Sequence, residues 1–198
     1  MSKPKRCKHC GKQYTSARGM QVVCSPLCGI ALARRKAQEK ADKLARAKTK
    51  EAKERIKRDA DWRRETQEIF NKMRRLEELL WFKVRGMEPY CISCQLPIGN
   101  DQWCCGHFKT RKARPDLAFD RINTYLQHNV RCNQFLSADI EGYKRGLAIR
   151  FGEEEARRIL EYCEPVKPDI KRTPEDWKAM KREFRQRIRE LEKQLSDD

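Results

Sequence analysis

A mostly helical α+β fold is the class that this 198-residue chain predicts, and three observations carry it. From Ile30 to Arg85 there is no Gly and no Pro, and Ala, Lys, Arg and Glu dominate, the composition of one or two long helices. Near the C-terminus Trp177, Met180, Phe184, Ile188, Leu191 and Leu195 recur by threes and fours, the spacing of a helix-pairing seam. Between these helical stretches, Trp103–Phe108 and Ile122–Leu126 are β-prone pieces in a segment broken by Gly and Pro.

Composition divides the chain into four segments. Residues 1–29 read as a small four-cysteine metal module, 30–87 as a long basic helical segment, 88–140 as a hairpin-bearing core and 141–198 as a C-terminal helical region. In the basic segment, Arg34 to Glu65 holds 14 Lys or Arg against 7 Asp or Glu, and its apolar positions are mostly Ala. Such a helix has little to bury, so it is expected in solvent or along a phosphate backbone. Farther on, Ile69, Met73, Leu76 and Leu80 form a one-sided stripe, which reads as packing rather than as a site. The last helix should open at Thr173-Pro174-Glu175-Asp176, with a Thr cap, Pro at the first helical position and an acidic third. Its seam can dock on the Ile69–Leu80 stripe or on a second copy of the chain.

The charge balance points to a polyanion. Lys and Arg number 46 against 29 Asp and Glu, a formal net charge of +17. That is far more than solubility requires, and counterion release would drive association with nucleic acid. A membrane partner is disfavoured, because no apolar run approaches ~20 residues and no signal-peptide core follows the N-terminus. A cytoplasmic protein is expected. In that reducing setting the ten cysteines are expected to bind metal rather than to form disulfides.

Two groups have ligand spacing. Cys7-x2-Cys10 and Cys24-x3-Cys28 supply four thiolates, the second pair at a helix start, and four protein ligands make a structural zinc site. Cys91-x2-Cys94 and His128-x3-Cys132 supply a Cys3His set across a 33-residue spacer, in which Cys104 or Cys105 could replace His128. Within that spacer stands Gly106-His107, followed by Lys109, Arg111, Lys112 and Arg114. Together with Arg131, these cations are the expected DNA contacts.

The order Cys-x2-Cys, Gly-His, Asn123, His-x3-Cys-Asn133 resembles the zinc-tied HNH, or ββα-metal, nucleases, including phage resolvases of the endonuclease VII kind. The strings CISCQLPIGNDQWCCGHFKT, LAFDRIN and RCNQFLSAD, followed by GYKRGLAIRFG, are similar to the NinG family of lambdoid phages, which includes the Rap recombination endonuclease. The likeness runs over nearly the whole chain and is most specific at 91–139. It implies a β-hairpin and helix clasping one Mg2+ or Mn2+, with His107 as general base, Asn123 fixing its orientation and Asn133 a catalytic metal ligand. The implied activity is cleavage of branched recombination intermediates such as Holliday junctions and D-loops. Two copies acting as a homodimer would suit a junction with two symmetric cut sites. The chain departs from the HNH pattern where many sites carry an Asp beside the His: Cys104, Cys105 and Gly106 stand there, and the nearby Asp101 and Asp120 are at other spacings.

Two other readings fit parts of the sequence: a catalytically silent zinc protein that binds branched or single-stranded DNA, and an RNA-binding zinc ribbon. The second leaves the order of His107, Asn123 and Asn133 unexplained. No recognition-helix or finger motif for direct base readout is present.

Overall fold

The computed structural model describes residues 4–16, 19–99, 102–136 and 138–196. Its mostly helical α+β chain forms two compact units, Met1–Lys57 and Arg58–Asp198. The segment read as one helical region, 30–87, is divided between them, because the helix breaks after Arg55 and restarts at Asp59.

In the first unit a two-stranded ribbon, β1 (Lys5–Arg6) and β2 (Gln13–Tyr14), precedes the 30-residue helix α1 (Pro26–Arg55). Ser25 caps that helix, its side-chain oxygen accepting from Cys28 N at 3.2 Å, and Pro26 occupies the first turn where no donor is needed. Leu32 is the only residue buried along α1, as its Ala-, Lys- and Arg-rich sequence predicts.

The second unit begins with α2 (Asp59–Lys83), which pairs with the last helix, α5 (Pro174–Ser196). The Thr173 cap forms as predicted: Asp176 N donates to Thr173 Oγ1 at 3.2 Å and Thr173 N donates to Asp176 Oδ2 at 2.8 Å. Phe184, Ile188 and Leu191 of α5 bury against Phe70 and Met73 of α2, flanked by Ile69, Leu76 and Leu80. The seam is therefore spent inside the chain. Of the two dockings left open by the sequence, the structure shows the one on the Ile69–Leu80 stripe, with Leu191 fully buried and Phe184 nearly so.

Against α2 packs an antiparallel hairpin, β3 (Trp103–His107) and β4 (Thr124–His128), registered from Trp103↔His128 to His107↔Thr124. Every residue of β4 is buried. Its free edge is satisfied by other groups: Leu126 N donates to Glu78 Oε2 at 3.1 Å and Ile92 N donates to Leu126 O at 2.8 Å. Arg74 of α2 donates to the carbonyl and the hydroxyl of Thr124, at 2.7 and 3.0 Å, and pairs with Glu77 and Glu78. Arg150 completes this buried ionic set, reaching Glu78 at 2.7 Å with its guanidinium over the Trp81 ring. A short π-helix, Asn129–Phe135, follows β4 directly, and α3 (Ile140–Phe151) and α4 (Glu153–Cys163) close the unit. Gly146 of α3 lets that helix lie on the backbone of Ile92, where any Cβ would overlap the Ile92 carbonyl.

Candidate functional site

The four cysteines Cys7, Cys10, Cys24 and Cys28 converge, each able to offer a thiolate within 4.8 Å of the others. Cys10 Sγ lies 3.6 Å from Cys24 Sγ, and Cys24 Sγ lies 3.5 Å from Cys28 Sγ. Zinc–thiolate bonds of ~2.3 Å in a tetrahedron put sulfurs about 3.8 Å apart, so the group is close to a zinc ligand set. None of the ten cysteines is in a disulfide. Crowding by its neighbours pushes the Cys24 thiol up to about 12, while backbone N–H groups led by that of Cys10 draw Cys7 down to about 6. A divalent cation would relieve that crowding by holding all four as thiolates.

Cys91, Cys94, His128 and Cys132 form the second group. The knuckle Cys91–Cys94 turns on Gln95, whose φ is +59°, and Gln95 N donates to Cys91 O at 3.0 Å. His128, the last residue of β4, sets Nδ1 3.2 Å from Cys94 Sγ, and Cys132, within the π-helix, lies 3.8 Å from Cys91 Sγ. Of the alternatives left open by the sequence, His128 lies in this group of candidate ligands, and Cys104 and Cys105 lie outside it. Burial pushes the thiols of Cys104 and Cys105 up to about 12, so both stay protonated. The two groups have the donors and the geometry to hold two zinc ions.

The second group ties one end of the hairpin. At the other end His107 closes β3, 8% exposed, with Nε2 3.1 Å from Ala118 O. A carbonyl only accepts, so Nε2 carries the proton and Nδ1 the lone pair. Burial lowers the imidazole pKa below 6.5; the Ala118 carbonyl opposes this and the nearby Arg111 charge adds to it, leaving the ring neutral at pH 7. Beside it Gly106 is needed, because a Cβ there would run into the Gln127 side chain, which is held by Ser93 and Ala138.

Asn123 is fully buried and grips the loop between the strands. Its Oδ1 accepts from Lys109 N at 2.8 Å, and its Nδ2 donates to Lys109 O at 3.0 Å and to Leu117 O at 3.1 Å. Any influence of Asn123 on His107 passes through that loop. An open cleft of about 560 Å3 is lined by His107, Arg111, Lys112, Asn129 and Asn133, together with Asn71, Thr110, Cys104 and Cys105. Asn133 Nδ2 lies 3.4 Å from Asn129 Oδ1. The structure therefore brings His107 and Asn133 to one cleft with two of the predicted cations. Asn71, Thr110 and Asn129 were missed; the Asn129-x3-Asn133 spacing, which shares one side of a helical turn, was the available signal for Asn129.

The other predicted cations fall elsewhere. Arg131 is exposed beyond the cleft, and Lys109 pairs with Glu164 at 2.8 Å. Arg114 departs from the sequence reading: it is 5% exposed, paired with Asp116 at 2.7 Å, and donates to the carbonyls of Cys163, Glu164 and Pro165, so it pins the end of α4 instead of lining the cleft. Asp120 is likewise committed, accepting from Ile122 N and Tyr162 Oη. Asp101 lies outside the described residues. Among the described residues no helix is long and apolar enough to cross a membrane.

The family described as Bacteriophage Lambda NinG protein matches residues 1–194 of this chain. Protein ninG of Escherichia phage lambda is 32% identical over 215 residues, covering 100% of this chain and 98% of its own. Protein ninG of Salmonella phage P22 is 31% identical over 212 residues, covering 98% and 96%. No solved structure matches the chain. With a match from the first cysteine group through the last helix, the chain belongs to the NinG family of bacteriophage proteins.

Proposed function

We propose that this protein is a metal-dependent endonuclease of the HNH type that cuts branched DNA. The observation that supports it most is the meeting of His107 and Asn133 in one cleft, His107 on a hairpin whose far end joins a Cys3His group and Asn133 next to Cys132 of that group. A hairpin followed directly by a short helix is consistent with the order that a ββα-metal site would need. His107, neutral and with its lone pair on Nδ1, can take a proton from water. Arg111 and Lys112 line the same cleft and can hold a phosphate against it.

The described lining of the cleft offers neutral oxygens, chiefly the amides of Asn133 and Asn129, and no carboxylate. These would hold Mg2+ or Mn2+ weakly unless a DNA phosphate completes the site, as suits a hard cation that keeps most of its waters. When bound, the ion would stabilise charge developing on the phosphate and leaving oxygen. Paired cuts across a two-fold junction require two copies of His107, so the active species is a homodimer. The missing carboxylate also favours a second reading, a zinc protein that binds branched or single-stranded DNA without cutting it. Incubation with a synthetic four-way junction and a linear duplex control, with and without Mg2+, separates the two. Metal-dependent junction cleavage is expected, and binding without cleavage in Mg2+ or Mn2+ would establish the silent reading.

A further inference from the structure

We infer that the outer face of the π-helix Asn129–Phe135 is a stacking wedge for an unpaired nucleobase of the DNA bound at the His107 cleft. The inference rests on the reading above for DNA as the partner, and it names the feature of branched DNA that would be recognised. One helix walls two cavities. Asn129 and Asn133 line the His107 cleft, while Val130, Arg131, Phe135 and Leu136 line a neighbouring cavity of about 600 Å3 with Gln102 and His128. π-helices are rare and collect at functional sites, because the extra residue per turn re-aims side chains.

The second cavity is walled mostly by apolar surface. Phe135 is 79% exposed, Leu136 55% and Val130 41%, whereas the other phenylalanines are drawn into contacts within the fold. An aromatic left in water beside a catalytic cleft points to a ligand with a flat apolar face. Arg131 in the same wall adds a cation that can pair with phosphate or stack on a base. The net charge of +17 favours a polyanionic carrier of that face over an acidic peptide or a second, equally basic copy.

In an intact duplex both faces of each base are covered by stacking. At a branch point, or in a single strand, a face is free. Phe135 would therefore distinguish branched from linear DNA without reading sequence, since every base has a π-face. The adjoining Asn129 and Asn133 would then lie toward the phosphate next to the unstacked base.

The test uses the full chain with its zinc retained and no added Mg2+ or Mn2+, and a four-way junction carrying 2-aminopurine at the branch point or in the middle of one arm. Wild type, Phe135→Ala and Phe135→Trp are compared for affinity and emission, with a linear duplex as control. Phe135→Ala is expected to weaken junction binding by about tenfold, to leave duplex binding within about twofold, and to abolish the branch-point emission change. Phe135→Trp should retain all three properties. Unchanged zinc content and thermal midpoint exclude misfolding of either variant. Wild-type junction affinity and emission in Phe135→Ala would overturn the wedge, as would equal loss on duplex. A change confined to self-association, seen by sedimentation, would also overturn it and make the face a contact between copies. Because binding is read without Mg2+ or Mn2+, the two readings fail separately: a protein that never cuts when these ions are supplied, yet loses junction preference with Phe135→Ala, refutes the nuclease reading and supports the wedge.

Discussion

Asn123 holds the Leu117 carbonyl at 3.1 Å, one residue before the Ala118 carbonyl that holds the His107 ring at the same distance. The ring is thus oriented by main chain, and the main chain by a buried amide that also spans both polar groups of Lys109. Asn123→Ala would leave one backbone donor and two carbonyls without this partner in a dry site. It is expected to cost about 2–3 kcal/mol and to lower cleavage turnover more than tenfold, with junction affinity nearly unchanged. Asn123→Asp should not rescue it, because a carboxylate cannot donate to the carbonyls of Lys109 and Leu117. Turnover and Kd measured side by side on one junction check this; equal losses in both would assign Asn123 to DNA binding.

If His107 is the general base proposed above, His107→Ala abolishes cleavage and leaves junction binding within a few-fold, because the ring would act on water and not on DNA affinity. Burial holds the folded-state pKa below 6.5, so the ring is mostly neutral at pH 7, and an activity that needs it as base should fall on the acidic side of that value. The stability term has the same direction. As pH falls below 6.5 the unfolded chain takes up the proton first, so this contribution is present above 6.5 and is lost down to the depressed folded pKa. A pH–rate profile whose acidic limb stands above 6.5 would contradict a buried, neutral base.

Metal content should approach two zinc ions per chain under reducing conditions, one for each ligand group. Cys91→Ser should unfold the Arg58–Asp198 unit, since that thiol also accepts the His128 N–H and anchors the knuckle to the π-helix. Cys163→Ala, in a buried thiol outside both groups, should cost only about 1 kcal/mol. Elemental analysis and thermal unfolding report both. Folded protein with no zinc would remove the metal from the architecture.

Local chemistry made much of this site legible. Ligand spacing is a property of a few adjacent residues, and the Thr173 cap, the α5 periodicity and the two strands follow from equally local patterns. What escaped depends on contacts across long separations. Arg114 belongs to a basic run and looks like its neighbours, but the carbonyls of Cys163, Glu164 and Pro165 that capture it are some 50 residues away. Arg74, Glu78 and Arg150 also read as ordinary charges of amphipathic helices, and only packing shows that they brace β4. A clamp role predicts that Arg114→Ala loses about 3 kcal/mol of stability without changing the salt dependence of DNA binding, whereas Arg111→Ala reduces that salt slope by about one.

The α2–α5 seam settles how the last helix is used, and this separates folding from assembly. Phe184 packs on Phe70 with ring centroids 5.4 Å apart, and Leu191 has no exposed surface. Charge pairs extend the seam at Lys72–Glu192 and Lys181–Glu65, and Trp177 Nε1 donates to Asp59 at 2.9 Å. Two aspartates in this interface would each bury a carboxylate among apolar side chains, at a cost of several kcal/mol. The double variant Phe184→Asp, Leu191→Asp should therefore unfold the second unit rather than release folded monomers. Circular dichroism with sedimentation distinguishes these results. Loss of helix together with aggregation is expected, and a well-folded monomer from a dimeric wild type would return the seam to the interface between copies.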